Sequence, residues 1–279
     1  MSHRGEEEPT GTDSIGTRDL AQWPSRLGSN VARWVVSITD RVARSDDDAR
    51  LPYVVLAVVA GIGLLAAALM TALSAQVYED VAQKDGSATL DQPVLDQMIE
   101  WRSPARNDLV TQFTDVGSST VMPFIATAAA VLLALWWRKW TPVLLMAVVA
   151  GGSVVMTVVG KQLVGRVRPA HELGVPPYES SPAFPSGHSL NSWVIFLMIA
   201  YLAACRLNSR PGRIAFVAAA VTFATAMGLS RVYLGHHWLT DVLVAWALGS
   251  TWLILVITGH RLALTVQRHV AAPGPTRRE

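Results

Sequence analysis

PVLLMAVVAGGSVVMTVVGKQLV, residues 142–164, decides the class of this protein. Its one charge, Lys161, lies close to the end of the run. About 20 consecutive apolar residues suffice for a helix to cross the hydrocarbon layer of a membrane. Five more runs have comparable length, near 52–75, 118–137, 188–205, 213–234 and 238–258. A helix satisfies its own backbone hydrogen bonds in lipid, which a lone strand cannot do. Composition agrees: 51% of residues are hydrophobic and 16% charged, against roughly 25% charged in soluble domains. The expected fold is all-α, a polytopic bundle of six transmembrane helices over residues 52–258. Cytoplasmic tails, 1–51 and 259–279, flank it.

The remaining segments read as follows. Residues 1–30 are rich in Gly, Ser, Thr, Glu and Pro and are expected to be largely disordered. Val31, Trp34, Val35, Ile38 and Val42 fall on one helical face with Arg33, Arg41 and Arg44 near it, which suits a helix on the membrane surface. A weakly helical linker is the plainer alternative. The polar connection 76–107 contains the amphipathic stretch Leu90, Val94, Leu95, Met98 and Ile99, ending in Trp101, expected at the interface. No cleavable signal sequence stands out, because the first fifty residues are polar. A single cysteine, Cys205, permits no internal disulfide and reads as packing. The net charge of +2 gives no reason to expect nucleic acid as a partner. No internal repeat of the transporter kind is visible.

Lys and Arg set the orientation. With the N-terminus inside, sixteen of the twenty-three fall on inner segments. Both expected inner loops are basic, one with Arg138 and Lys139, the other with Arg206, Arg210 and Arg213. The positive-inside rule therefore places both termini in the cytoplasm of a cell-membrane protein.

Polar residues then gather at particular span ends. Lys161 ends the third span and Arg168-Pro169 follows, about two helical turns on. Pro185-Ser186-Gly187-His188 is a turn feeding the fourth span, where free N–H groups attract anions. Ser230-Arg231 ends the fifth span. His237 and Asp241 open the sixth, four apart and so on one helix face. Singly, each has a plain explanation: an anchor that snorkels, a turn, a solvated histidine. In the expected topology all of them meet at one level, on the outer side. Three cations, two histidines and a carboxylate converge there.

This constellation resembles the type 2 phosphatidic acid phosphatase family, which shares its active site with vanadium haloperoxidases. The family's first motif, Lys, six residues, Arg-Pro, matches Lys161 to Arg168-Pro169. Its second, Pro-Ser-Gly-His, matches Pro185 to His188. Its third, Ser-Arg, five residues, His, three residues, Asp, matches Ser230-Arg231, His237 and Asp241. All three stand in order without departure, and the resemblance covers roughly 52–258. The spacing selects His237 over His236, which would line the site. The resemblance implies a hydrolase of lipid phosphates or diphosphates: phosphatidic acid, phosphatidylglycerol phosphate or polyprenyl diphosphate. His237 would be the nucleophile, forming a phosphohistidine. Asp241 would fix its tautomer, and His188 would act as general acid and then base. Lys161, Arg168, Arg231, Ser186 and Gly187 would bind the phosphate. No cofactor is expected, because three cations stand where other phosphatases use a metal. A phosphotransferase with the same site is a second enzymatic reading. A transporter or inactive scaffold is a third; the intact motifs and the missing repeat count against it.

Overall fold

The computed structural model describes residues 13–15, 18–43, 76, 79 and 89–271. The expected first span, 52–75, lies outside these residues, as do both extreme termini. Two short strands, β1 (Ser14–Ile15) and β2 (Arg18–Asp19), pair antiparallel. Among the described residues eight α-helices follow: α1 (Arg26–Ala43), α2 (Asp91–Glu100), α3 (Pro104–Asp115), α4 (Val121–Trp137), α5 (Thr141–Val164), α6 (Gly187–Ala204), α7 (Arg210–Tyr233) and α8 (Leu239–Ala271). Four of them, α5 to α8, are long and apolar enough to cross a membrane, and α4 is a shorter apolar helix. The chain is a mostly helical, multi-pass membrane protein.

Local chemistry sets the helix boundaries. Ser209 accepts a hydrogen bond from Gly212 N at 3.2 Å, so α7 begins at Arg210 and not at the expected 213. Arg138, in the left-handed region with φ 55°, ends α4, and a three-residue turn leads into α5. Connections this short make the two helices neighbours.

The core is organised around α6. Leu190, Val194, Met198 and Leu202, four apart, are all 0% exposed. They form a continuous apolar ridge along one face, and α6 packs against α4, α5, α7 and α8. Outward, large apolar side chains stay uncovered: Leu132, Leu135, Leu144, Leu163 and Ile254 are each at least 65% exposed. Such a girdle suits lipid contact. Small residues let helices approach closely. A Cβ at Gly152 would lie 2.3 Å from the Trp252 ring, and one at Gly228 would lie 2.6 Å from Trp246.

The expected 238–258 span is longer than its apolar run: α8 continues to Ala271. Leu262 and Val266 in the extension pack against Ala32 and Val35 of α1. Burial against α1 therefore replaces lipid as the partner of these turns. The same contact orders residues expected to lack structure. Arg261 donates to Leu20 O at 2.9 Å and to Gln22 O at 2.7 Å. Trp23 Nε1 donates to Thr265 Oγ1 at 3.1 Å. Ser25 caps α1, accepting from Gly28 N at 3.0 Å, so this helix starts five residues before the expected 31. On the same helix Trp34 stays 56% exposed, whereas Val35 is buried.

Candidate active site

Lys161 sits in the last turn of α5. Gly165, with φ 59°, ends that helix, its N–H bonded to Lys161 O at 3.1 Å. Glycine adopts this left-handed conformation without strain. The chain beyond it carries Arg166 and Arg168 across the end of the bundle. The loop is held by Ala183 N, which donates to Arg166 O at 2.8 Å.

Four helix ends meet here. A cavity of about 550 Å³ is lined by Lys161, Gly187, His188, Arg231, His236 and His237, with Thr114 and Asn191 among its other walls. These come from the C-terminal ends of α5 and α7 and the N-terminal ends of α6 and α8. The span ends singled out by the motifs therefore lie on one side of the bundle.

Glu179, in the loop between α5 and α6, occupies the centre of the cations. Its Oε2 accepts from Arg168 Nη2 at 2.8 Å, and its Oε1 accepts from Arg231 Nη2. Burial alone would raise its pKa. Arg231 and Arg168 outweigh that and hold it at about 2. Two planar guanidinium groups gripping one anion is the geometry that recognises carboxylate or phosphate. Lys161 Nζ lies beside them, donating to Ser181 Oγ at 3.0 Å and to Pro182 O. Arg231 is 2% exposed and also donates to Thr114 Oγ1 at 3.3 Å.

His237 is 1% exposed. Its Nε2 lies 3.2 Å from Arg168 Nη1. Arginine can only donate, so Nε2 accepts and the neutral ring carries its proton on Nδ1. Nδ1 faces Asp241 Oδ2 at 3.4 Å, close enough for an ion pair but outside hydrogen-bond alignment. Burial, then Arg168 and Arg231, press the pKa of His237 well below the usual histidine value. His236 turns the other way. Its Nε2 donates to Val175 O at 2.7 Å, and burial followed by Arg231 lowers its pKa to about 4.

Ser186 differs from its expected part. It is 0% exposed and caps α6, its Oγ accepting from Ser189 N at 3.4 Å and from Ser189 Oγ at 2.7 Å. It does not line the cavity, whereas Gly187 and His188 do.

Sequence reasoning passed over four other residues. Glu179 looks no different from Glu172 in a polar loop. Arg166 Nη1 donates to Asp241 Oδ1 at 2.6 Å, and its Nη2 donates to Asp91 Oδ2 at 2.6 Å. An arginine two residues from another could have been flagged as one cation beyond the motif. Asp91 opens α2, and only its place beside an amphipathic run marked it. Arg102 is a staple: it donates to Tyr233 O at 2.7 Å and to Leu173 O at 2.6 Å. It ties the turn after α7 to the loop that carries Glu179.

Comparison with known proteins gives concordant matches. Residues 141–263 match the model of the PAP2 superfamily. Phosphatidylglycerophosphatase B of Bacillus subtilis (strain 168) is 33% identical over 187 residues, 66% of this chain and 87% of the relative. The crystal structure of a transmembrane PAP2-type phosphatidylglycerolphosphate phosphatase from Bacillus subtilis superposes with a TM-score of 0.60 at 27% identity. That match covers 69% of this chain and 92% of the other.

Proposed function

The chain belongs to the PAP2 superfamily of type 2 phosphatidic acid phosphatases, and from that membership we propose that it hydrolyses a lipid phosphate or diphosphate through a phosphohistidine on His237. The observation that carries this reading is the Glu179 carboxylate clasped by Arg168 and Arg231, with the accepting Nε2 of His237 against the same Arg168. An internal anion sits where a substrate phosphate would sit. Phosphatidic acid, polyprenyl diphosphate and phosphatidylglycerol phosphate share that group. Likeness to phosphatidylglycerophosphatase B favours the last.

The steps follow from the geometry. The phosphate displaces Glu179, takes over its contacts with Arg168 and Arg231, and draws in Lys161 Nζ from Ser181 and Pro182 beside it. The exposed N–H groups at the start of α6 add to them. Displacement frees His237 Nε2, whose lone pair attacks phosphorus. The phosphorus–oxygen bond to the lipid alcohol breaks, and His188 protonates the leaving oxygen. Asp241 faces the Nδ1 proton and stabilises the imidazolium that forms. His188, now neutral, takes a proton from water. The water oxygen attacks phosphorus, the phosphorus–nitrogen bond breaks, and phosphate leaves. Ser186 shapes the turn that aims Gly187 and His188. Three cations neutralise the equatorial oxygens, so the reaction proceeds without a metal.

A lipid presents its phosphate at the interface while its tails remain in hydrocarbon. The expected six spans with both termini inside, supported by the basic inner connections, favour a cavity on the outer face. The test is inorganic phosphate release by detergent-purified protein from a panel of these three lipids, with and without EDTA. Release from at least one lipid, unaffected by EDTA and absent in His237→Ala, is the expected result. No release from any, or activity restored only by added Mg²⁺, refutes the reading.

A further inference from the structure

Behind His237, away from the cavity walls, Asp241 is joined to a buried chain of charges whose other members, Arg166 and Asp91, the hydrolytic scheme leaves unused. Asp91 and Asp241 flank Arg166; their side chains are 5%, 0% and 7% exposed respectively. Arg166 Nη1 reaches Asp241 Oδ1 and Nη2 reaches Asp91 Oδ2, each at 2.6 Å. Thr240 completes the set. Its Oγ1 accepts from Arg166 Nη1 at 2.6 Å and donates to Asp91 Oδ2 at 2.8 Å, while its N–H donates to Asp91 Oδ1 at 2.9 Å.

Every contact to Asp91 comes from a donor, the pattern of an ionised carboxylate. Asp241 likewise receives Arg166 and, on Oδ2, Trp238 N at 3.0 Å. The charge count then matters. Arg166 paired with Asp241 alone would be neutral and would leave little negative field for an imidazolium. With Asp91 on the other prong, the trio carries one net negative charge. That charge becomes balanced when His237 turns positive. Both prongs are also short and directional, so the Asp241 carboxylate is held against rotation.

We propose that Asp91 and Arg166 are positioning residues for the hydrolytic reaction, acting through Asp241 to fix its carboxylate and keep net negative charge beside His237. Helix α2 thereby supplies part of the active site's support. The proposal rests on the reading of His237 as nucleophile. Besides Asp241, the charged groups around His237 are Arg168, Arg231, Glu179 and Lys161, and the variants below leave all of them in place.

The experiment uses full-length protein in detergent, assayed for phosphate release from phosphatidylglycerol phosphate across pH. Asp91→Asn keeps the shape and removes the charge. It should lower kcat roughly 10- to 100-fold, with KM within about threefold, and move the acid limb of kcat/KM to lower pH. Arg166→Lys keeps the charge, but an ammonium cannot span both carboxylates. It should lower kcat while leaving the limb near its original place. If Asp91→Asn does not fold, as judged by gel filtration, Arg166→Lys decides. Unchanged kcat in the folded variants, or an effect on KM alone, overturns the proposal. Loss of folded protein in both variants also overturns it, since the cluster would then be structural. His237→Ala is run alongside: activity surviving there refutes the nucleophile instead.

Discussion

Glu179 and His237 share one guanidinium, since Arg168 donates to the first through Nη2 and faces the second through Nη1. On the proposed mechanism, phosphate replaces the carboxylate before the imidazole attacks. Glu179→Gln removes the competing charge and leaves Arg231 buried with its positive charge uncompensated. Inhibition by inorganic phosphate or vanadate should then tighten by about tenfold. Equal or weaker inhibition, read from dose–response curves, would show that Glu179 orients the arginines and does not compete. With its pKa at about 2, Glu179 stays ionised at every workable pH, so the effect should hold from pH 5 to 8 alike. The histidine sets the acid limb. Attack needs the neutral ring, and burial with Arg168 and Arg231 disfavours the charged form. Activity should therefore persist below the ordinary histidine pKa of about 6.5 and fall only as pH drops through the lowered value. A kcat/KM profile with its acid limb above 6.5 would contradict this. His236→Ala should retain substantial activity, because its Nε2 is spent on Val175 O.

Helix ends carry the chemistry, so their caps matter as much as their faces. Ser186 is the cap of α6, and its side chain accepts from Ser189 N and Ser189 Oγ. Ser186→Ala should cost about 1 kcal/mol of stability, the usual loss for a serine cap. A lowered thermal midpoint in detergent checks it; an unchanged midpoint would show that the cap contributes nothing. The α2 helix is another case. Its amphipathic run was expected at the membrane interface, yet Leu95 is 0% exposed and the helix packs on α7 and α8. Packing of this kind is what allows Asp91 to reach Arg166.

Across the whole molecule, the site lies at one end of the bundle and the basic connections at the other. Arg138 and Lys139 follow α4, and Arg206 and Arg213 flank the start of α7. Trp140, 81% exposed, sits among them, in the manner of an interfacial anchor. A cysteine at Glu172, an exposed position on the site's loop, should react in intact cells with a membrane-impermeant thiol reagent. The test is made in a Cys205→Ser background. A cysteine at Ser209, exposed at the opposite end, should react only after the membrane is opened. The reverse pattern would place the site in the cytosol.

What could be read from residue order alone was whatever is local. A membrane-crossing helix satisfies its own backbone, so composition and run length sufficed to locate α4 to α7, and the start of α8, within a few residues. That Lys161, Arg168, His188, Arg231, His237 and Asp241 come together was legible because the family motifs are linear spacings at helix ends. Other features depend on partners far away in sequence. Arg166 reaches Asp91 across 75 residues and Asp241 across 75 the other way. Glu179 meets Arg231 across 52. In the sequence Glu172 and Glu179 are equivalent acids in one loop; the fold sets one, half-buried, between two arginines and leaves the other in the open. The ends of α1 and α8 are alike in this respect, since Leu262 and Val266 become core only when Ala32 and Val35 arrive against them. Charge pairing and burial are sums over neighbours in space, and no window of sequence contains those neighbours.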